Sequence, residues 1–117
     1  QLEKAKGYYQ PGIACLLEMS ENDKDEVILG SAYTNLTSCY TMLHQYEEAE
    51  KAWKAAQQYP AQPGADATAA ILYAAMGDGE KTAEYIQQLK AKLPAWVPQT
   101  QEMTRQILSG THPAFPK

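Results

Sequence analysis

The stretch that most constrains this chain is residues 33–60, YTNLTSCYTMLHQYEEAEKAWKAAQQYP. Tyr33, Leu36, Tyr40 and Leu43 recur at steps of three and four, which places them on one stripe of a helix. After His44 and Gln45 the rhythm resumes in Tyr46, Ala49, Trp53, Ala56 and Tyr59. Glu, Lys, Ala and Gln fill the second half, all good helix formers, and no Pro or β-branched run interrupts it. Two apolar stripes joined by so short a connection must face each other, so the stretch is predicted to form an antiparallel helical hairpin. The small residues Ala49, Ala52 and Ala56 let the two backbones approach, with Tyr40 and Trp53 filling the wider ends. Pro60 is expected to end the second helix, near Tyr59.

The frame returns downstream. Tyr73, Gly77, Ile86, Leu89 and Pro94 fall where Tyr40, His44, Trp53, Ala56 and Pro60 stood, at one nearly constant offset. A two-helix unit with a period of about 34 residues is the signature of a helical repeat. On Tyr33, Asn35, Leu36, Tyr40, Tyr46, Ala49, Trp53, Ala56 and Pro60, and then on Tyr73, Gly77, Asp78, Ile86 and Pro94, the chain resembles the tetratricopeptide repeat family. It departs from the family pattern at Thr37 and His44, where Gly is usual, and at Thr82, where a small Ala is usual. The resemblance implies an all-α fold, a right-handed solenoid of antiparallel helix hairpins. It would form a single domain over residues 1–110, followed by an extended tail over 111–117. Within it we read a half repeat (1–22), a repeat (24–60), a second repeat (64–94) and a capping helix (98–109).

In chain order, residues 1–10 are predicted helical, with Leu2, Ala5, Tyr8 and Tyr9 on one face. Pro11-Gly12 is expected to interrupt, and residues 13–19 (IACLLEM) to resume as a short apolar helix. Asp23 with Glu26 resembles a capping box, so a long helix is predicted from about Lys24 to Leu43. Its extra turns, 27–30, would pack on 13–19. Residues 60–64 (PAQPG) form a loop. An alanine-rich helix is predicted over 65–76, a turn at Gly77-Asp78-Gly79, and a partner helix over 80–93. Pro98 starts a last helix, with Met103, Ile107 and Leu108 apolar and the remainder polar, as a solenoid cap requires. Tyr40, Trp53, Tyr73 and Ile86 are the expected centre of the packing.

The chain opens on Gln1, which we read as the mark of a piece of a longer protein. Its 117 residues carry a net charge of −4 with no basic stripe, which argues against nucleic acid as the partner. No apolar run approaches the roughly 18 residues of a membrane span, and no basic-then-apolar leader is present. The expected location is cytoplasmic. Cys15 and Cys39 lack metal-ligand or redox spacing; buried helical thiols are the favoured reading, with a disulfide as the alternative.

Nothing in the sequence assembles catalytic chemistry, so the chain is not expected to be an enzyme, and no cofactor or metal is implied. His44 falls in the interhelical turn, and His112 in a proline-flanked tail. Glu47, Glu48 and Glu50 precede Lys51 and Lys54 at i, i+4 spacing and read as a solvated face. Gly77-Asp78-Gly79 lacks the Lys-Ser or Lys-Thr of a phosphate loop.

The expected role is that of a protein–protein interaction scaffold. In the architecture that the resemblance implies, the first helix of each repeat lines a concave groove. Helix geometry then points Ser31, Thr34, Asn35, Ser38 and Met42 into the groove from the first repeat. Ala67, Thr68, Ile71, Ala74 and Ala75 follow from the second. Asn35 is similar to the Asn of family members that clamp a ligand's carboxylate, but Ser38, Thr68 and Ile71 stand where basic residues would complete the clamp. The groove therefore suits a neutral extended segment or a partner helix. Two other roles remain open on the sequence: a regulatory segment of a larger enzyme or transcription regulator, and self-association into a homodimer through an N-terminal apolar edge of Tyr8, Tyr9, Ile13 and Leu16.

Overall fold

A computed structural model describes residues 2–116, apart from the side chain of Leu2. Gln1, Lys117 and the Leu2 contribution to the first apolar face lie outside the described residues. The described chain is α-helical with no strand, and it divides between Gln62 and Pro63 into two compact units. The break falls inside the loop predicted at 60–64.

The first unit holds α1 (Leu2–Asn22), α2 (Glu26–Met42) and α3 (Tyr46–Ala56). Helix α1 runs through Pro11 without a break, which corrects the expected interruption. A proline inside a helix removes one N–H and presses on the carbonyl four residues earlier, at a cost of roughly 3 kcal/mol. Here that carbonyl belongs to Gly7, and both Gly7 and Pro11 are exposed, so water can satisfy the freed oxygen. Burial on the opposite side offsets the rest. Ala5, Tyr9, Ile13 and Leu16 follow at helical steps and pack with Leu36, Leu43 and Ala52 in one cluster. These inward positions also correct the proposed dimer edge. Ile13 is buried and Tyr9 and Leu16 half-buried, whereas the exposed apolar side chains of α1 are Tyr8, Leu17 and Met19.

Helix α2 is capped by Asp25 rather than by Asp23. The Asp25 carboxylate accepts from the N–H groups of Val27 (2.9 Å) and Ile28 (3.3 Å), while Asp23 accepts from Asp25 N–H at 2.9 Å. The local turn delays the helix and hands the capping role on by two residues. The first turns of α2 do not bury Val27 or Ile28 on residues 13–19; both are exposed. Gly30 instead lies against the end of the hairpin, where an added Cβ would stand 3.1 Å from the Pro60 carbonyl oxygen and 3.2 Å from Tyr59 Cβ. One turn on, Tyr33 stacks on Tyr59 with ring centroids 5.9 Å apart.

The second unit holds α4 (Ala65–Ala75), α5 (Gly79–Lys92), a 3-10 turn (Pro94–Trp96) and α6 (Val97–Ser109). Asp78 caps α5 by accepting from Lys81 N–H at 3.0 Å. Both hairpins turn in the same way. In the first, the N–H of Gln45 donates to the Tyr40 carbonyl at 2.9 Å; in the second, Asp78 donates to Tyr73 at 2.8 Å. The residue before each donor is left-handed, His44 at φ 60° and Gly77 at φ 81°. Donor, acceptor and left-handed residue are each offset from their counterparts by the same sequence interval, so the two turns share one register.

The packing centre differs from expectation. Leu36, Leu72 and Leu89 are the large side chains most fully withdrawn from water, and each contributes roughly 1.5–3 kcal/mol. Trp53 and Tyr73 are buried as expected, but Tyr40 and Ile86 are only half-buried. Ala69, Ala70 and Ala74 on α4 are buried, as are Thr82 and Leu89 on α5. Helix α3 stops at Ala56, before Tyr59, and its end is a turn rather than a proline stop. The segment after α6 is not extended. Gly110 takes the left-handed form at φ 79°, Thr111 and His112 donate back to the Gln106 carbonyl, and Phe115 is buried.

Candidate functional site

The candidate partner-binding residues fall on two helices, one in each unit. On α2, Ser31, Thr34, Asn35, Ser38 and Met42 lie three or four residues apart, except for the adjacent pair Thr34-Asn35, on one face, and none is buried. Asn35 and Ser38 are exposed, and the other three are half-buried. The Thr34 hydroxyl donates to the Gly30 carbonyl at 2.8 Å, so its proton is engaged within the helix. The Asn35 carboxamide and the Ser38 hydroxyl are the exposed polar groups of this face.

On α4, Thr68, Ile71 and Ala75 are half-buried and share a face. Ala67 and Ala74, also expected there, are interior at 8% and 2% exposure, so they line no surface. In the register set by the two turns, Asn35 corresponds to Thr68, Ser38 to Ile71 and Met42 to Ala75. None of these face residues is charged. The structure thus keeps all five named residues on one unburied face of α2, but only Thr68, Ile71 and Ala75 of the five on α4.

Several polar groups at the core escaped sequence reasoning. Thr37, Thr41, Thr82, Thr100 and Thr104 are buried. Four of them donate to the carbonyl four residues back: Thr37 to Tyr33, Thr41 to Thr37, Thr82 to Asp78 and Thr104 to Thr100, at 2.7–2.9 Å. A threonine bonded this way presents only its methyl group to the interior. Asp66 is buried in the first turn of α4, where the helix N-terminus favours a carboxylate. Lys92 Nζ reaches its Oδ2 at 3.1 Å, as an ion pair rather than an aligned hydrogen bond.

A cleft of about 220 Å³ opens in the first unit, outside the predicted positions. Leu17, Leu36 and Ala52 give it apolar walls, and Tyr33 and Tyr40 contribute rings, with Glu48 and Lys51 as its charged lining. Burial pushes the Tyr40 hydroxyl above the usual tyrosine range, and the charges of Glu48 and Cys39 push the same way. Burial likewise raises the Tyr46 hydroxyl and the Cys39 thiol. Both cysteines are free thiols; Cys39 is half-buried as a member of the core cluster, while Cys15 is exposed, against the buried reading.

Other candidates for chemistry lie apart. His44 stacks on Tyr46 at 5.9 Å, and His112 Nδ1 accepts from Ala114 N–H at 3.1 Å. Glu47 and Lys51 are exposed, while within-helix ion pairs form at Glu3–Lys6 and Glu102–Arg105. Among the described residues, no group of three His, Cys, Asp or Glu side chains is placed to hold a metal ion. No helix among them is long and apolar enough to cross a membrane. The chain matches no model of a protein family, no curated protein and no solved structure.

Proposed function

We propose that this chain is a tetratricopeptide-like interaction module that holds a segment of another polypeptide, its hairpins stacked as a right-handed solenoid. The observation that carries the reading is the paired register of the first helices. Asn35, Ser38 and Met42 on α2, and Thr68, Ile71 and Ala75 on α4, hold corresponding positions in the two repeats and are left unburied in both. Repeated, uncharged, small-walled helix faces suit an extended segment or a partner helix, with Asn35 supplying the directional hydrogen bonds. The opposite helices, α3 and α5, carry ten charged residues against two on α2 and α4, and serve as the solvated side.

The test is affinity capture from host lysate, comparing the wild type with a folded variant carrying Asn35→Ala, Met42→Glu and Ile71→Glu. A polypeptide retained by the wild type alone, and bound again after purification, supports the reading. Equal retention by both places binding elsewhere. A second reading, self-association, draws on the exposed apolar side chains of the first unit, with Tyr8 78% and Val27 57% exposed. Sedimentation over a range of concentrations decides it, since a strict monomer throughout rules it out.

A further inference from the structure

The turns of the two hairpins share one register, and one difference between the flanking helices opens a site. Tyr40 and Tyr73 hold the same place before the turn, each accepting at its carbonyl from the amide five residues on. In the second hairpin, two side chains of α5 converge on Tyr73. The Tyr85 ring stacks on it at 5.6 Å with the planes 2° apart, and Lys81 Nζ stands 4.8 Å from its centroid. Tyr73 is left 4% exposed.

In the first hairpin the corresponding residues are Ala52 and Glu48. Ala52 ends at Cβ and offers Tyr40 no ring. Tyr40 accordingly stays half-buried, and the space beside it is the cleft that Tyr40 and Ala52 line together. At about 220 Å³ it falls below the roughly 300–1,000 Å³ of small-molecule sites, so a single side chain is the occupant of the right size.

We propose that this cleft receives a tyrosine side chain from a partner polypeptide, which stacks on Tyr40 as Tyr85 stacks on Tyr73. The walls of Leu17, Leu36 and Ala52 suit an uncharged ring. The charged groups choose among rings. A phenol hydroxyl both donates and accepts, so it matches the Glu48 carboxylate as donor and the Lys51 ammonium as acceptor. Phenylalanine satisfies neither, and a guanidinium that pairs with Glu48 meets repulsion from Lys51. The cleft shares no residue with the outward faces of α2 and α4, so this inference and the proposed function can fail separately.

The experiment titrates the isotopically labelled protein with the capped pentapeptide Ala-Ala-Tyr-Ala-Ala and with the same peptide carrying Leu, Phe or Arg at its centre. The tyrosine peptide is expected to shift the amide signals of Tyr40, Glu48 and Ala52, and to bind about tenfold tighter than the leucine peptide. Ala52→Tyr fills the cleft from within by copying Tyr85, and should weaken binding at least about tenfold. Should that variant not fold, Tyr40→Leu removes the ring and carries the same expectation. Equal binding of the tyrosine and leucine peptides, or undiminished binding by a folded Ala52→Tyr or Tyr40→Leu variant, overturns the proposal. So does a preference for the arginine or phenylalanine peptide. A dimer in sedimentation that Tyr8→Ala abolishes would make a second copy the occupant, and would overturn it too.

Discussion

Gly64→Ala should destabilise the second unit, through a ring that stands half in water. Gly64 precedes α4 with φ −95° and ψ 5°, a conformation that alanine adopts freely, so backbone strain plays no part. The obstacle is Trp96. A Cβ on Gly64 would overlap the Trp96 ring at Cζ3 and stand 2.8 Å from Cη2 and 3.3 Å from Cε3. The ring is 49% exposed, so it can swing away into solvent, and what is lost is the burial of its other half. A buried aromatic side chain hides roughly 150–250 Å². Half of that at about 25 cal/mol/Å² is about 2.5 kcal/mol, as an upper bound. Alanine restricts the unfolded chain and returns about 0.4–1 kcal/mol. The net loss is then about 1.5–2 kcal/mol, or roughly 5–10 °C in Tm for a chain of this size. Thermal unfolding followed by circular dichroism measures it, and tryptophan emission should shift to the red, since the other tryptophan, Trp53, is 4% exposed and stays put. In a Trp96→Ala background the same substitution should be neutral or slightly stabilising. An equal Tm loss in both backgrounds would refute the reasoning.

Four further outcomes are expected. Ala49→Leu overfills the fully buried seam between α2 and α3 and should cost roughly 1–3 kcal/mol; a wild-type melting temperature would sink that helix pairing. Asp25→Ala removes the acceptor for Val27 and Ile28 N–H and should cost about 1 kcal/mol, with faster hydrogen exchange confined to the start of α2. Gly77→Ala forces a side chain into the left-handed turn at φ 81° and should cost roughly 1–2 kcal/mol in chemical denaturation. Hydrogen bonds from Arg105 and Gln106 hold the Glu102 carboxyl down at about 2. Because its folded value lies below the unfolded one, its contribution is present above the ordinary glutamate range and is lost as pH falls through the folded value. The pair is fully exposed, so the readout is the Glu102 carbon shift, with its midpoint moving up toward the ordinary range in Arg105→Ala.

The parts legible in the sequence were those that periodicity controls. Leu36, Leu43, Ala49, Trp53 and Ala56 repeat at helical steps, and their burial follows directly from that spacing. The register of the repeat was legible through Tyr40 and Tyr73, and through His44 and Gly77, because a helix end needs a left-handed residue at one position. Pro11 misled, since its effect depends on which side of α1 it faces, and that is decided by the packing of Ile13 and Leu16. The buried threonines were missed because a hydrophobic stripe counts them as polar, although each hydroxyl bond back along the helix removes most of that polarity. Thr37 and Thr41, four residues apart within an apolar stripe, were the available signal. Phe115 was hidden in a proline- and glycine-rich tail whose fold depends on the turn at Gly110. The cleft beside Tyr40 could not be read from the first hairpin alone. It shows only when Ala52 is set against Tyr85, a comparison of the two repeats once their register is known.

The central claim is that the outward face of α2 touches another polypeptide while the outer side of α3 at Glu47 does not. Photo-crosslinking tests it most directly, with Ser38→p-benzoylphenylalanine on that face and Glu47→p-benzoylphenylalanine on the charged side as a control, both residues being exposed. Irradiated in host lysate, the Ser38 probe should give a discrete adduct with one polypeptide, and the Glu47 probe none. An adduct from Glu47 with none from Ser38 would contradict the account.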